Sequence, residues 1–312
     1  MTRIAVAIGC GGTIGAAWIV AVLAELADQT GWDPRQADIL QGTSAGAELV
    51  TMLSGGYGVD DLVAMQSGAP GDEVLRRHLD DTPPSLPRLP RPARLQPSTL
   101  WTRGGGHARL TGIAPRGGGD AGWLSRLAQS VVPEGDSWLA HPGARLVAYR
   151  VDDGERVAFG APGSPSATAE EALRASWAIP AWLPPVEIGG RAYVDGGAAS
   201  TASVDLIAPH EADLIYVIAP MASLDGVRAP GVGGRIEQVA LRNPMSAVLR
   251  AEVNTVRALG TEVVVLTPSA DDMAGLGANF MNRDRRQAAF DAVRRTVGAT
   301  VSETLAANGV SR

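Results

Sequence analysis

The sequence predicts a layered α/β fold with a mainly parallel sheet. Three observations point there. Short apolar runs rich in β-formers alternate with segments of helical apolar spacing. A length of 312 residues leaves ample room for a large core. A composition that is 45% hydrophobic and 19% charged is that of an ordinary globular protein.

The elements follow in order. "RIAVAIG" reads as a strand over 4–8, and glycines at 9, 11, 12 and 15 separate it from a helix over 16–28. No charged side chain occurs from 4 to 24, so a secretion signal or membrane span is the alternative. The glycines interrupt that run in its middle and favour strand, turn and helix. A strand over 39–41 leads to helices over 45–54 and 60–67. After a long interval come a helix over 122–131, strands over 146–151 and 157–160, and a helix over 169–176. A strand ending at 192–194 precedes Asp195, and further strands are expected over 214–219 and 263–267. Between and after them lie helices over 245–259 and 283–307, the last stopping on "ANG". No internal repeat is present.

Residues 80–112, "DDTPPSLPRLPRPARLQPSTLWTRGGGHARLTG", are dense in Pro, Arg and Gly. The expectation is one domain over 1–312 with this stretch as a lid or loop insertion; a linker between two domains is the alternative.

Composition excludes several chemistries. The formal net charge is −6, which argues against a nucleic-acid partner. All 27 basic residues are Arg, so Schiff-base catalysis and a Walker-type phosphate loop are ruled out. The single cysteine, Cys10, forms no intrachain disulfide, and a reducing, cytoplasmic compartment is expected. One cysteine and four scattered histidines are poor material for zinc; no metal or cofactor is expected.

"ILQGTSAGAEL" places Ser44 between Gly42 and Gly46, with a strand before it and a helix after. That context suits a nucleophile elbow, a strained turn that exposes a serine hydroxyl at the carboxyl edge of a sheet. An attacking serine needs amide donors for the oxyanion, and "AIGCGGTIGAAW" offers them after the first strand. A dinucleotide fingerprint is the competing reading of those glycines. Its register fails, because starting at Gly9 puts Ile14 in the last glycine position and ending at Gly15 puts Cys10 in the first. Two bases compete for the serine. His210 follows Asp195, as a triad would require, yet "APHEAD" reads as a loop. Asp195 itself closes a strand in "GGRAYVDGGAAS", where a carboxylate meets a glycine turn.

These blocks together resemble the patatin-like phospholipase family. "CGGTIG" at 10–15 is similar to its glycine-rich oxyanion motif, "GTSAG" at 42–46 to its elbow, and "ASWAIPAWLPPVEIGGRAYVDGG" at 175–197 to its approach to an Asp-Gly-Gly motif. The resemblance implies a three-layer fold with helices on both faces of a mainly parallel central sheet, a Ser44–Asp195 dyad without histidine, an oxyanion hole at Gly11, Gly12 and Thr13, and an acid motif continued by Gly196 and Gly197. It departs from the family at Cys10, where glycine is usual, and at Ile14, where a basic residue is usual. The uncharged Ile14 weakens the case for an anionic head group. Cys10 reads as a small apolar filler rather than a second nucleophile.

Other features have plainer readings. Trp177, Trp182, Leu183 and Pro184–Pro185 either line an acyl pocket or pack in the core. Arg76, Arg77, Arg88, Arg91 and Arg94 either contact a membrane peripherally or form a solvated basic loop. Asp152–Asp153 and Asp271–Asp272 read as turn and helix-cap acids. The expected function is a serine lipid acyl hydrolase or carboxylesterase working through an acyl-enzyme. The alternatives are an acyltransferase or thioesterase on the same machinery, or a catalytically silent lipid-binding protein. Oligomeric state stays open.

Overall fold

The computed structural model describes residues 2–82 and 117–310. Eight strands form one mixed, mostly parallel sheet: β1 (Ile4–Ile8), β2 (Ile39–Thr43), β3 (Ala144–Arg150), β4 (Glu155–Phe159), β5 (Val186–Ile188), β6 (Arg191–Asp195), β7 (Leu214–Ile218) and β8 (Glu262–Leu266). The parallel part runs β3-β2-β1-β7-β8, while β4 and β6 pair antiparallel with β3 and β5 pairs antiparallel with β6.

The helices are α1 (Gly12–Thr30), α2 (Ala45–Ser54), α3 (Val59–Gln66), α4 (Glu73–Asp81), α5 (Gly122–Val131), α6 (Ala169–Ser176), α7 (Gly231–Glu237), α8 (Asn243–Ala258), α9 (Ala270–Leu276), α10 (Arg286–Val293) and α11 (Val297–Ala307). A π-turn over Gln238–Arg242 joins α7 to α8. Alternation along the central strands divides the core. Val6 and Ile8 face a cluster containing Trp18, Leu23 and Leu49, while Ala5 and Ala7 face one containing Ile215, Val217, Val253 and Val256. Helices therefore cover both faces, and the three-layer α/β fold is realised.

The boundaries carry corrections. Helix α1 begins at Gly12, a turn before the expected 16, because buried apolar packing on both flanks overrides the glycine signal. It stops at Gly31, whose left-handed φ of 68° lets its N–H bond to the Ala27 carbonyl. The expected helix over 283–307 is two helices, α10 and α11, separated where the Thr296 side chain bonds to the buried Asp272. Residues 80 and 81, expected in the Pro- and Arg-rich loop, end α4 instead, which Asp72 caps through the Val74 and Leu75 amides. From 83 to 112 that stretch, with Arg88, Arg91 and Arg94, lies outside the described residues.

Candidate active site

Register on β3 brings the two candidate residues together. β2 pairs with the first half of β3, Thr43 opposite Val147. β6 pairs with the second half, Asp195 opposite Ala148. β4 pairs with β3 over Leu146–Arg150, overlapping both, so β4 occupies the other edge. β2 and β6 thus share one edge of β3 and meet end to end, Ser44 following one and Asp195 closing the other.

Ser44 adopts φ 57° and ψ −118°, a backbone conformation that costs a non-glycine residue about 1–3 kcal/mol. The surroundings enforce it. The Ser44 amide donates to Ser176 Oγ at 2.9 Å, and that hydroxyl donates to the Val147 carbonyl at 2.6 Å. The Ser44 carbonyl accepts from the Glu48 amide at 3.1 Å, starting α2. The glycines make the turn fit: a Cβ on Gly42 would strike the Gly46 carbonyl, and one on Gly46 would strike the Ile8 carbonyl.

Asp195 is held as firmly. Its amide donates to the Ala178 carbonyl at 3.0 Å, just beyond α6, and its Oδ1 accepts from the Gly197 amide at 2.7 Å. Burial pushes its carboxyl up to about 7, against the opposing pull of the Ser44 hydroxyl and the Gly197 amide. Gly196 opens the following turn against Val147 and Thr43. The segment Ser176–Ala178 therefore fixes the serine on one side and the aspartate on the other. Ser176 lies in the block 175–197, but no motif singles it out.

Of the loop after β1, the Gly9 and Cys10 amides bond to Ile218 and Thr201 carbonyls, each at 2.8 Å. The Ile14 amide bonds to the Phe280 carbonyl at 2.9 Å and the Gly15 amide to Gly11 at 2.9 Å. Gly11, Gly12 and Thr13 keep amides without a hydrogen-bond partner among the described residues, as the start of a helix does. Gly11 and Gly12 border the same cavity as Ser44 and Asp195, of about 310 Å³. Thr13 instead borders a small separate cavity beside Glu48 and His78.

The Ser44 cavity also touches Cys10 and Gly197, and its remaining wall is apolar: Ile179, Pro180, Met221, Leu241, Met245 and Phe280. Sequence reading did not find the last four, which arrive from distant segments and carry no motif. Trp177, Trp182 and Leu183 are not on that wall; they are buried, and Trp123 meets Trp177 edge-on at 5.2 Å. Cys10 packs with Met221 and Met245, and burial together with the Asp195 charge pushes its thiol up to about 12. Ile14 is core.

The remaining polar candidates are elsewhere. His210 is exposed before β7, at the amino edge of the parallel strands, whereas Ser44 follows the carboxyl end of β2. A Ser44–His210 pair is excluded by that topology. His78 is buried against Glu48 Oε1 at 2.8 Å, and His141 serves the Gly143 amide. Asp153 pairs with Arg150 and Asp152 with Arg191, while Asp272 accepts from Trp18 and Thr300. Arg76 pairs with Glu73. Among the described residues, no group of three His, Cys, Asp or Glu side chains is arranged to hold a metal ion. No described helix is long and apolar enough to cross a membrane.

Comparison with known proteins gives three findings. The crystal structure of VipD from Legionella pneumophila aligns at 13% identity and a TM-score of 0.38, covering 93% of this chain and 67% of that one. No curated protein sequence matches. The family profile described as patatin-like phospholipase matches residues 6–207, well over half the chain. The edge of β3 that joins Ser44 to Asp195 falls wholly within that span, and the chain belongs to the patatin-like phospholipase family.

Proposed function

We propose that the protein is a serine lipid acyl hydrolase in which Ser44 is the nucleophile and Asp195 the general base. One observation carries the reading: Ser44 and a buried carboxyl poised near 7 border one apolar cavity, together with Gly11 and Gly12. A carboxylate is ordinarily too weak a base for a serine hydroxyl. Burial narrows that gap by disfavouring the charged form, so accepting a proton relieves an unfavourable state.

In the first half-reaction Ser44 Oγ bonds to the acyl carbonyl carbon while its proton passes to Asp195. The carbonyl electron pair moves onto oxygen, where the free amides at Gly11 and Gly12, which border the Ser44 cavity, receive it. Collapse of this intermediate breaks the bond to the leaving alcohol, which takes the proton from Asp195. Water then attacks the acyl-serine, giving its proton to Asp195, and the carboxylic acid departs as that proton returns to Ser44. The apolar wall opposite supplies binding for the acyl chain, and its size lies at the small end of ligand pockets.

The test is a fluorophosphonate probe followed by intact-protein mass spectrometry. One label per chain is expected, lost in Ser44→Ala; equal labelling of the Ala variant rejects the assignment. Incubation with a panel of esters, thioesters and phospholipids then identifies which acyl group remains on the serine. Ester formation on adding an alcohol acceptor would identify an acyltransferase instead.

A further inference from the structure

The continuous helical run of α7, the π-turn and α8, which walls part of the cavity, also carries an exposed apolar stripe. Val232 is 77% exposed, Ile236 63% and Val239 66%, at spacings of four and three that place them on one helical face. Among the described residues only Leu259 is a comparably exposed large apolar side chain. A cluster of this kind on a globular surface marks a contact site rather than chance exposure.

The stripe is not on a loose end. The buried Arg242 bonds to Glu237 Oε1 at 2.6 Å and to the Pro220 carbonyl at 2.7 Å, and Glu237 Oε2 accepts from the Asn279 amide at 3.3 Å. Those bonds tie the helix to the loop after β7 and to the segment before Phe280. Just beyond the stripe, Leu241 of the π-turn and Met245 of α8 form part of the wall of the Ser44 cavity. The stripe therefore lies within a few residues of side chains that wall the pocket.

Charge distinguishes the occupants this face could accept. The protein is acidic overall, with a formal charge of −6. From 226 to 250, however, every exposed charged side chain is Arg: Arg228, Arg235 and Arg250. Arg228 and Arg235 make no ion pair with any described residue, and Asp225 is the acid that precedes them. An apolar ridge flanked by unpaired guanidinium groups complements a surface that is apolar beneath an anionic layer.

We infer that the face of Val232, Ile236 and Val239 docks the protein onto the surface of an anionic lipid aggregate, with the mouth of the Ser44 cavity held against it. The inference rests on the lipid-hydrolase reading for its purpose, but not for its test. Each group has its own part in the contact. The three aliphatic side chains enter the acyl boundary, Arg228 and Arg235 meet lipid phosphates, and an acyl chain passes along Leu241 and Met245 toward Ser44.

Binding is measured on Ser44→Ala protein, which removes the proposed nucleophile, by co-sedimentation with equimolar phosphatidylcholine–phosphatidylglycerol vesicles and with pure phosphatidylcholine vesicles. The double variant Ile236→Glu/Val239→Glu should partition about tenfold less onto both. Arg228→Gln/Arg235→Gln should lose the preference for the anionic vesicles. With Ser44 restored, both pairs should keep turnover of a soluble short-chain ester within about threefold, since they touch only the outer face. Independently, Val239→Cys carrying an environment-sensitive fluorophore should shift to the blue on adding anionic vesicles; Cys10 is buried and competes poorly for the label. Undiminished vesicle binding by the Glu pair, or an unshifted fluorophore, overturns the inference. So does sedimentation showing a dimer that the Glu pair converts to monomer, which would assign the face to a second copy of the chain. Absence of short-ester turnover in the parent would reject the Ser44 reading and leave the vesicle result to stand by itself.

Discussion

On the proposed reading, Asp195 works in the ionised form, the one its surroundings resist. With its folded value raised to about 7, the ionised form becomes the majority only above that pH. kcat/KM should rise with pH to a plateau with an apparent midpoint near 7, measured on a soluble ester. Asp195→Asn, in a folded variant, should lower it by about 100-fold or more. The same shift sets a stability trend. A raised folded pKa means the neutral form's advantage is fully present below the unfolded value near 3.8 and is lost as pH rises through about 7. That loss amounts to about 4 kcal/mol at most. Thermal unfolding should therefore show Asp195→Asn level with the wild type at pH 4 and more stable than it at pH 8; an unchanged difference between those pH values would contradict the shift. At this scale Ser44 and Asp195 were legible because each needs a glycine turn beside it, and glycine spacing survives in a sequence. Ser176 was not legible: a hydroxyl that bridges backbone across 132 residues leaves no local pattern.

Elements fix what residues cannot fix alone. α2 crosses β1 and β2 so closely that Gly46 touches the Ile8 carbonyl, which makes the elbow a property of helix-on-sheet packing. Gly46→Ala should cost about 1–3 kcal/mol of stability and abolish probe labelling, read by thermal melts and mass spectrometry. Ser176→Ala leaves the Ser44 amide and the Val147 carbonyl without their shared partner. A loss of about 1–3 kcal/mol is expected, with kcat falling more than KM because the serine drifts while the acyl wall stays. The apolar strands were legible, since β1, β7 and β8 are short runs of mostly buried apolar residues. β5 was not. Its three residues exist because Gly189 and Gly190, at φ 57° and 75°, turn the chain back into a hairpin with β6. α4 escaped notice because "EVLRRHLDD" is mostly charged, and α7 because three of its seven residues are glycine. α4 is stabilised by its Asp72 cap and the His78–Glu48 bond, and α7 by the bonds of Glu237 to Arg242 and Asn279, none of which propensity registers.

Across the whole molecule the sheet has a working edge and a supporting edge. Ser44 and the β1 loop lie beyond the carboxyl ends of parallel strands, the usual place for chemistry in such folds. His210 stands at the other edge, its carbonyl accepting from Arg3. His210→Ala should leave kcat/KM within about threefold; a loss comparable with that of Asp195→Asn would overturn the dyad. The end-to-end meeting of β2 and β6 also determines how activity fails. β6 is attached to β3 through three paired residues, Ala148 to Arg150, and its other neighbour is the short β5. β2, by contrast, is paired along both sides within the parallel core. The hairpin carrying the aspartate is thus a small unit that can detach while the rest of the sheet persists. In a denaturant titration the enzyme should fall silent before it melts, with ester turnover lost at a lower concentration than far-UV ellipticity. A disulfide or tighter turn that pins the hairpin to β3 should draw the two midpoints together, extending working lifetime without raising the global melting point.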